Sequence, residues 1–330
     1  MLFQARHPDL FHGHQKKRNF FEGWYFKIVD STQHHVFAFI PGIFLGKEAD
    51  TCHSFIQVVH GREAYFRYLT FPVESFQAQK NTFAIAVDRN KFSLNNMSLN
   101  IKEQSFAARG ELNFRNVFNW PDTFLNPGSM GFYNYIPRMQ CYSQVCALDM
   151  ELDGKLLING TDIDFSGGRG YVEKNWGSAF PYSWIWMQCN NFPSSRAALT
   201  CSLGHIPFLW GSFRGFLIAL TVEKQFYPFT TMNRSRCRIL QTGGDIHMEV
   251  QNARYILTLE TGTSPEQFVK LHGPRDGKMV PLVQENLQGR VRVELRERGG
   301  KVIFADEGGC AGIEYGGRQM LVLDEGWQAG

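Results

Sequence analysis

At 330 residues, 43% of them apolar and 20% charged, the chain is long enough for two domains and too apolar to be disordered. A formal net charge of +3 is too small to argue for nucleic acid, and the one tight basic run, Lys16-Lys17-Arg18, reads as a solvated patch. Seven cysteines without CxxC spacing read as reduced thiols, and no apolar run approaches the ~20 residues that span a bilayer.

The opening, MLFQARHPDLFHGHQKKR, carries no long apolar leader, so a cytoplasmic protein is expected. FFEGWYFKIVD (20–30) then alternates as a strand does. Glu22, Trp24, Phe26 and Ile28 share one face, and Tyr25, Lys27 and Val29 the other. If the first face is interior, Glu22 needs a partner or a proton, while Lys27 is expected in solvent. HVFAFIPGIF, HSFIQVVHG, AYFRYLTF, TFAIAVDRN, FSLNNMSLNIK and SFAARGELNF continue the series. Residues 116–134, rich in Pro, Gly and Asn, read as a long loop. GKLLINGTDIDF is a hairpin with Asn159-Gly160 as a type I′ turn.

Strands resume from SWIWMQCNNF to KVIFADE, and helical periodicity is almost absent beyond one turn near 265–270. So many short strands with turn signals between them predict an all-β protein of two antiparallel β-barrel or sandwich domains packed together, 1–165 and 166–330. The 29 phenylalanines suit pleated, half-buried surfaces and apolar pockets.

Three of the seven tryptophans fall in GYVEKNWGSAFPYSWIWMQCNN (170–191). In SWIWMQCNN, Trp184, Trp186, Gln188 and Asn190 project to one face and Ile185, Met187 and Cys189 to the other. The first face grades from indole to amide, as a pocket wall does; ordinary core packing is the competing account. In YVEKNWG, Glu173 shares a face with Tyr171 and Asn175, and Lys174 shares one with Val172 and Trp176. One of the two charges therefore points inward. A carboxyl in apolar surroundings keeps its proton to higher pH and acts as an acid. A structural ion pair is the alternative.

His7, His12, His14 and the pair His34-His35 lack zinc spacing, so no metal is expected. SGGRG (166–170) is no dinucleotide motif, and GSFRG (211–215) lacks the serine of a nucleophile elbow.

YVEKNWGSAFPYSWIWMQCN closely resembles the signature of the tocopherol cyclase family, and FEGWYFK and IEYGG (313–317) resemble further landmarks in the expected order. The resemblance implies two lipocalin-like β domains, as in the distantly similar carotenoid hydratases and Diels–Alderases. It implies no cofactor. It also implies a proton-initiated cyclisation of a prenylated quinol or related isoprenoid, in which a phenol oxygen attacks the tertiary cation. Glu173 is the first choice of acid and Glu22 the second. Lys174 and Asn175 would orient the quinol oxygen. Trp24, Tyr25, Tyr171, Trp176, Trp184 and Trp186 would bind the substrate, and Gln188 and Asn190 its hydroxyls. Indole faces would steady the cation by ~0.5–2 kcal/mol each. Val172 stands where plant members tend to have Ser, so membership speaks to fold and ligand class more than to substrate. The alternative is a lipocalin-like carrier that binds a lipophilic ligand without turning it over. The expected partner is a lipophilic small molecule. Transient contact with a membrane surface and the oligomeric state are left open.

Overall fold

Alternating apolar and polar side chains become strand almost everywhere. The computed structural model describes residues 2–208, 211–242 and 245–317. One short α-helix (Leu2–Arg6) precedes twelve strands of a first antiparallel sheet. They are β1 (Phe20–Val29), β2 (Val36–Leu45), β3 (His53–His60), β4 (Tyr65–Phe71), β5 (Phe76–Ala78), β6 (Ala84–Val87), β7 (Asn90–Ser93), β8 (Asn96–Glu103), β9 (Phe106–Phe118), β10 (Cys141–Ile158), β11 (Thr161–Asp164) and β12 (Arg169–Gly177). A second sheet holds β13 (Ser183–Cys189), β14 (Ala197–Phe208), β15 (Gly211–Val222), β16 (Gln225–Thr230), β17 (Arg236–Thr242), β18 (Asp245–Gln251), β19 (Tyr255–Gly262), β20 (Val269–Arg275), β21 (Lys278–Glu297) and β22 (Val302–Gly317).

Most neighbours in each sheet are consecutive in sequence, joined by tight turns. Asn159 and Gly160, both at positive φ, make the expected turn between β10 and β11. Glu223 and Lys224 do the same between β15 and β16 without a glycine, which is why that turn has no sequence signal. The long connection falls to one pairing per sheet. β12 returns to lie between β1 and β10, and β22 returns to lie between β13 and β21. The first sheet ends at β4 and β5 and the second at β16 and β17, so each is an open, sandwich-type sheet rather than a closed barrel.

The chain forms two compact units. The first comprises Met1–His60, Tyr65–Phe180 and Leu271–Leu282; the second comprises Gly61–Ala64, Pro181–Lys270 and the chain from Val283. The sequence-based division lay after Phe165. In the structure β12, with its charged motif, belongs to the first sheet, and the first unit continues to Phe180. Each unit has its own apolar core. In the first it includes Trp24, Phe26, Phe39, Phe92, Leu112, Val172 and Trp176. In the second it includes Ile185, Met187, Leu199, Ile218, Leu257, Val293 and Ile313.

None of the seven cysteines forms a disulfide. Among the described residues, no helix is long and apolar enough to cross a membrane, and no His, Cys, Asp and Glu group could hold a metal ion.

Candidate functional site

The pairing of β1 with β12 builds the first part of the site. Glu22 lies opposite Trp176, Trp24 opposite Lys174 and Tyr25 opposite Glu173. Side chains two positions apart on paired strands lie within reach of each other. Lys174 Nζ accordingly meets Glu22 Oε1 at 2.5 Å, and both side chains are wholly buried. The N-terminal segment completes the pair. Lys174 Nζ donates to the Leu10 carbonyl at 2.5 Å, and the His12 amide donates to Glu22 Oε2 at 2.8 Å. Nε2 of His12 faces the Gln4 carbonyl at 3.2 Å, and Nδ1 lies 3.1 Å from Lys174 Nζ. A carbonyl only accepts, so Nε2 carries a proton, while Nδ1 stands between the Lys174 ammonium, a donor, and Glu22 Oε1 at 3.4 Å, an acceptor. The His12 ring stacks on Trp176, and Trp176 stacks on Tyr142. Lys174 Nζ also lies 5.0 Å from the Trp24 ring centre and 4.5 Å from that of Trp176, within cation–π range.

The electrostatics follow from this packing. Burial pushes Glu22 up, but the Lys174 charge and hydrogen bonds from His12 and Lys174 outweigh it and hold Glu22 below its ordinary range. Burial and the Lys174 charge push His12 down, so it is neutral. Glu22 is therefore an ionised partner of Lys174. This corrects its expected role as a proton donor, and Lys174 is bound to that carboxylate rather than turned toward a substrate oxygen.

The opposite face of β12 carries Tyr171, Glu173 and Asn175, as period-two alternation requires. Glu173 is buried; the Tyr171 hydroxyl donates to its Oε2 at 2.7 Å, and Asn175 Nδ2 lies 3.4 Å from its Oε1. The two cations closest to Glu173 in sequence hold other carboxylates, while buried Lys27 shares the Tyr25 face of β1, one diagonal step from Glu173 in the β1–β12 register. Lys174 holds Glu22, and Arg169 donates to Asp149 Oδ1 at 2.8 and 2.5 Å. Tyr25 falls on this face and Trp24 on the other, so the two expected substrate contacts of β1 are separated by the sheet. Lys27 is 1% exposed, against the expectation of a solvated side chain. The assumption of one wet face fails because both faces of β1 are buried.

Trp184, Trp186, Gln188 and Asn190 lie in the second unit, all buried. Ile185, Met187 and Cys189 enter its core, so the two faces of β13 divide as the alternation predicts. The indoles lie against β22 because that strand is stripped of side chains beneath them. A Cβ on Gly316 would sit 1.9 Å from Trp184 Cζ2, and one on Gly312 would sit 2.7 Å from Trp186 Cζ3. Nε1 of Trp184 donates to Glu314 Oε1. Gly316 and Glu314 of the IEYGG stretch thus seat Trp184, and Gly312, just before it, seats Trp186.

Sequence reasoning passed over His12, whose loop has no periodicity to read. It also passed over His53, Gln57, Tyr68 and His272. Alternation in HSFIQVVH places His53 and Gln57 on one face, and that was the available signal.

Residues 99–317 match the family model described as tocopherol cyclase-like. The chain belongs to the tocopherol cyclase-like family. A protein of Oryza sativa subsp. japonica named probable tocopherol cyclase, chloroplastic, is 24% identical over 371 residues, spanning 94% of this chain and 77% of that one. Tocopherol cyclase, chloroplastic, of Zea mays is 27% identical over 233 residues, 67% of this chain and 48% of its own. In the family's fold this chain is similar to the crystal structure of CghA with Sch210972, with a TM-score of 0.57 at 12% identity over 90% of this chain and 87% of that one. At that identity the likeness speaks for the fold alone.

Proposed function

We propose that this chain closes a ring on a prenylated quinol or a related lipophilic isoprenoid, with Glu173 as the acid. The carboxyl proton passes to a side-chain alkene carbon, leaving a tertiary cation. The phenol oxygen attacks that cation, the new C–O bond forms, and the phenolic proton returns to the carboxylate. The product is an isomer of the substrate. Tyr171 steadies Glu173 between the two steps, and Tyr25 and Asn175 share its face.

The observation that carries this reading is the position of Glu173. It is a buried carboxyl with a phenol as hydrogen-bond donor, set on the opposite face of β12 from the Lys174 ammonium. Membership of the tocopherol cyclase-like family supports the reaction class.

The test is incubation with a prenylated hydroquinone, followed by chromatography, since ring closure leaves the mass unchanged. The wild-type chain should form product, and Glu173→Gln should lose about 10²–10⁴-fold in rate, the usual weight of a general acid. Full turnover by Glu173→Gln overturns the assignment. A ligand retained but unchanged by the wild-type chain marks a carrier.

A further inference from the structure

A second cluster stands in the first unit, on residues the proposed ring closure does not use. Gln57 of β3 lies opposite Tyr68 of β4, and His53 lies four residues before Gln57 on the same face. Both arms of the Gln57 amide grip the His272 backbone. The His272 amide donates to Oε1 at 3.0 Å, and Nε2 donates to the His272 carbonyl at 3.1 Å. Thus held, the His272 ring lies almost parallel to Tyr68 at 4.6 Å and to Phe66 at 5.5 Å. Phe44 and Phe55 flank His53 and Tyr68.

The hydrogen atoms in this cluster can be assigned. His53 Nδ1 faces the Thr51 carbonyl at 2.8 Å, so Nδ1 carries a proton. Burial pushes His53 down, so its ring is neutral and Nε2 is a bare acceptor. The Tyr68 hydroxyl, 2.5 Å away, must donate to it. Tyr68 then has no proton left, and its oxygen offers only lone pairs to a further partner. His272, also pushed down by burial, keeps a buried Nδ1 with no hydrogen-bond partner. A hydrogen-bonding group left unsatisfied in this way is costly.

We propose that His53, Tyr68 and His272 form a binding site for the hydroxyl-bearing ring of a neutral phenol or hydroquinone, which stacks among the aromatics and donates its hydroxyl hydrogen to Tyr68 Oη. A quinone of the same shape brings only acceptors to face those lone pairs and is rejected. The site is distinct from the proposed place of ring closure. Four strand spacings along the sheet, a path of roughly 19 Å, separate β12 from β4.

Anaerobic titration calorimetry with tetramethylhydroquinone tests it. The ring is fully substituted, so thiols cannot add to its oxidised form. The controls are its dimethyl ether and tetramethylbenzoquinone. The hydroquinone should bind one per chain and at least tenfold more tightly than either control. Tyr68→Phe and His272→Phe should each erase most of that preference while leaving the melting temperature near wild type, and Glu173→Gln should retain it. No preference over the ether overturns the proposal, as does wild-type preference in both phenylalanine variants. The probe has no prenyl chain and cannot cyclise, so this result and the Glu173→Gln turnover result fail independently.

Discussion

Glu22 and Lys174 meet at 2.5 Å inside the first unit, 152 residues apart in sequence and both out of reach of solvent. Their remaining hydrogen-bonding capacity is met by the Leu10 carbonyl and by the amide and ring of His12. Removing one partner strands a charge, which costs about 3–5 kcal/mol. Lys174→Met should therefore lower the urea-unfolding free energy by that amount, and Lys174→Met with Glu22→Leu should recover most of it. Additive losses in the double variant would mean that the two charges do not act as a pair.

Stability should fall on acidification in two stages. His12, His53 and His272 are all depressed below the ordinary 6.5. The unfolded chain therefore takes up protons first as pH falls below about 6.5, which favours unfolding. Glu22, depressed below 4.5, adds stability that is present above 4.5 and is lost as pH falls through its folded value. Asp9, raised by burial, works in the opposite sense. Denaturant titrations at pH 7, 5.5 and 4 should show a progressive loss, and a His12→Phe variant should flatten the step between the first two. Equal stability at pH 7 and 5.5 would exclude the histidine contribution.

Gly316→Ala should unseat Trp184. The added carbon would meet the indole at 1.9 Å, so the ring must leave Glu314 or the strand must shift. Overpacking of this kind costs about 1–3 kcal/mol. The near-ultraviolet circular dichroism of the tryptophans should change with it. An unchanged spectrum would show that the indole does not rest on β22.

Tyr171→Phe should slow product formation while preserving the fold, by a smaller factor than Glu173→Gln. It removes a hydrogen bond to Glu173 and leaves the carboxyl in place. Steady-state rates with a prenylated hydroquinone read this directly, and a Tyr171→Phe enzyme as fast as wild type would separate the phenol from catalysis.

What was legible in the sequence was local. Period-two alternation placed Glu173 with Tyr171 and Asn175, Lys174 with Trp176, and Ile185 with Met187, because a strand leaves no other choice. Asn159-Gly160 announced its turn because few residue pairs tolerate two positive φ angles. The partner of Lys174 was not legible, since it depends on β12 returning beside β1 after more than a hundred residues. The same holds for His272, whose grip by Gln57 spans 215 positions. Lys27 was misread because a sheet with both faces buried cannot be told in advance from one with a wet side.

The Glu22–Lys174 contact also constrains descent. Neither residue can be exchanged alone without leaving an orphan ion in an oily interior, so a lineage must change both together or neither. Relatives that lack the lysine should lack the glutamate as well, and their N-terminal segments should then be released from matching a carbonyl and an amide to the two.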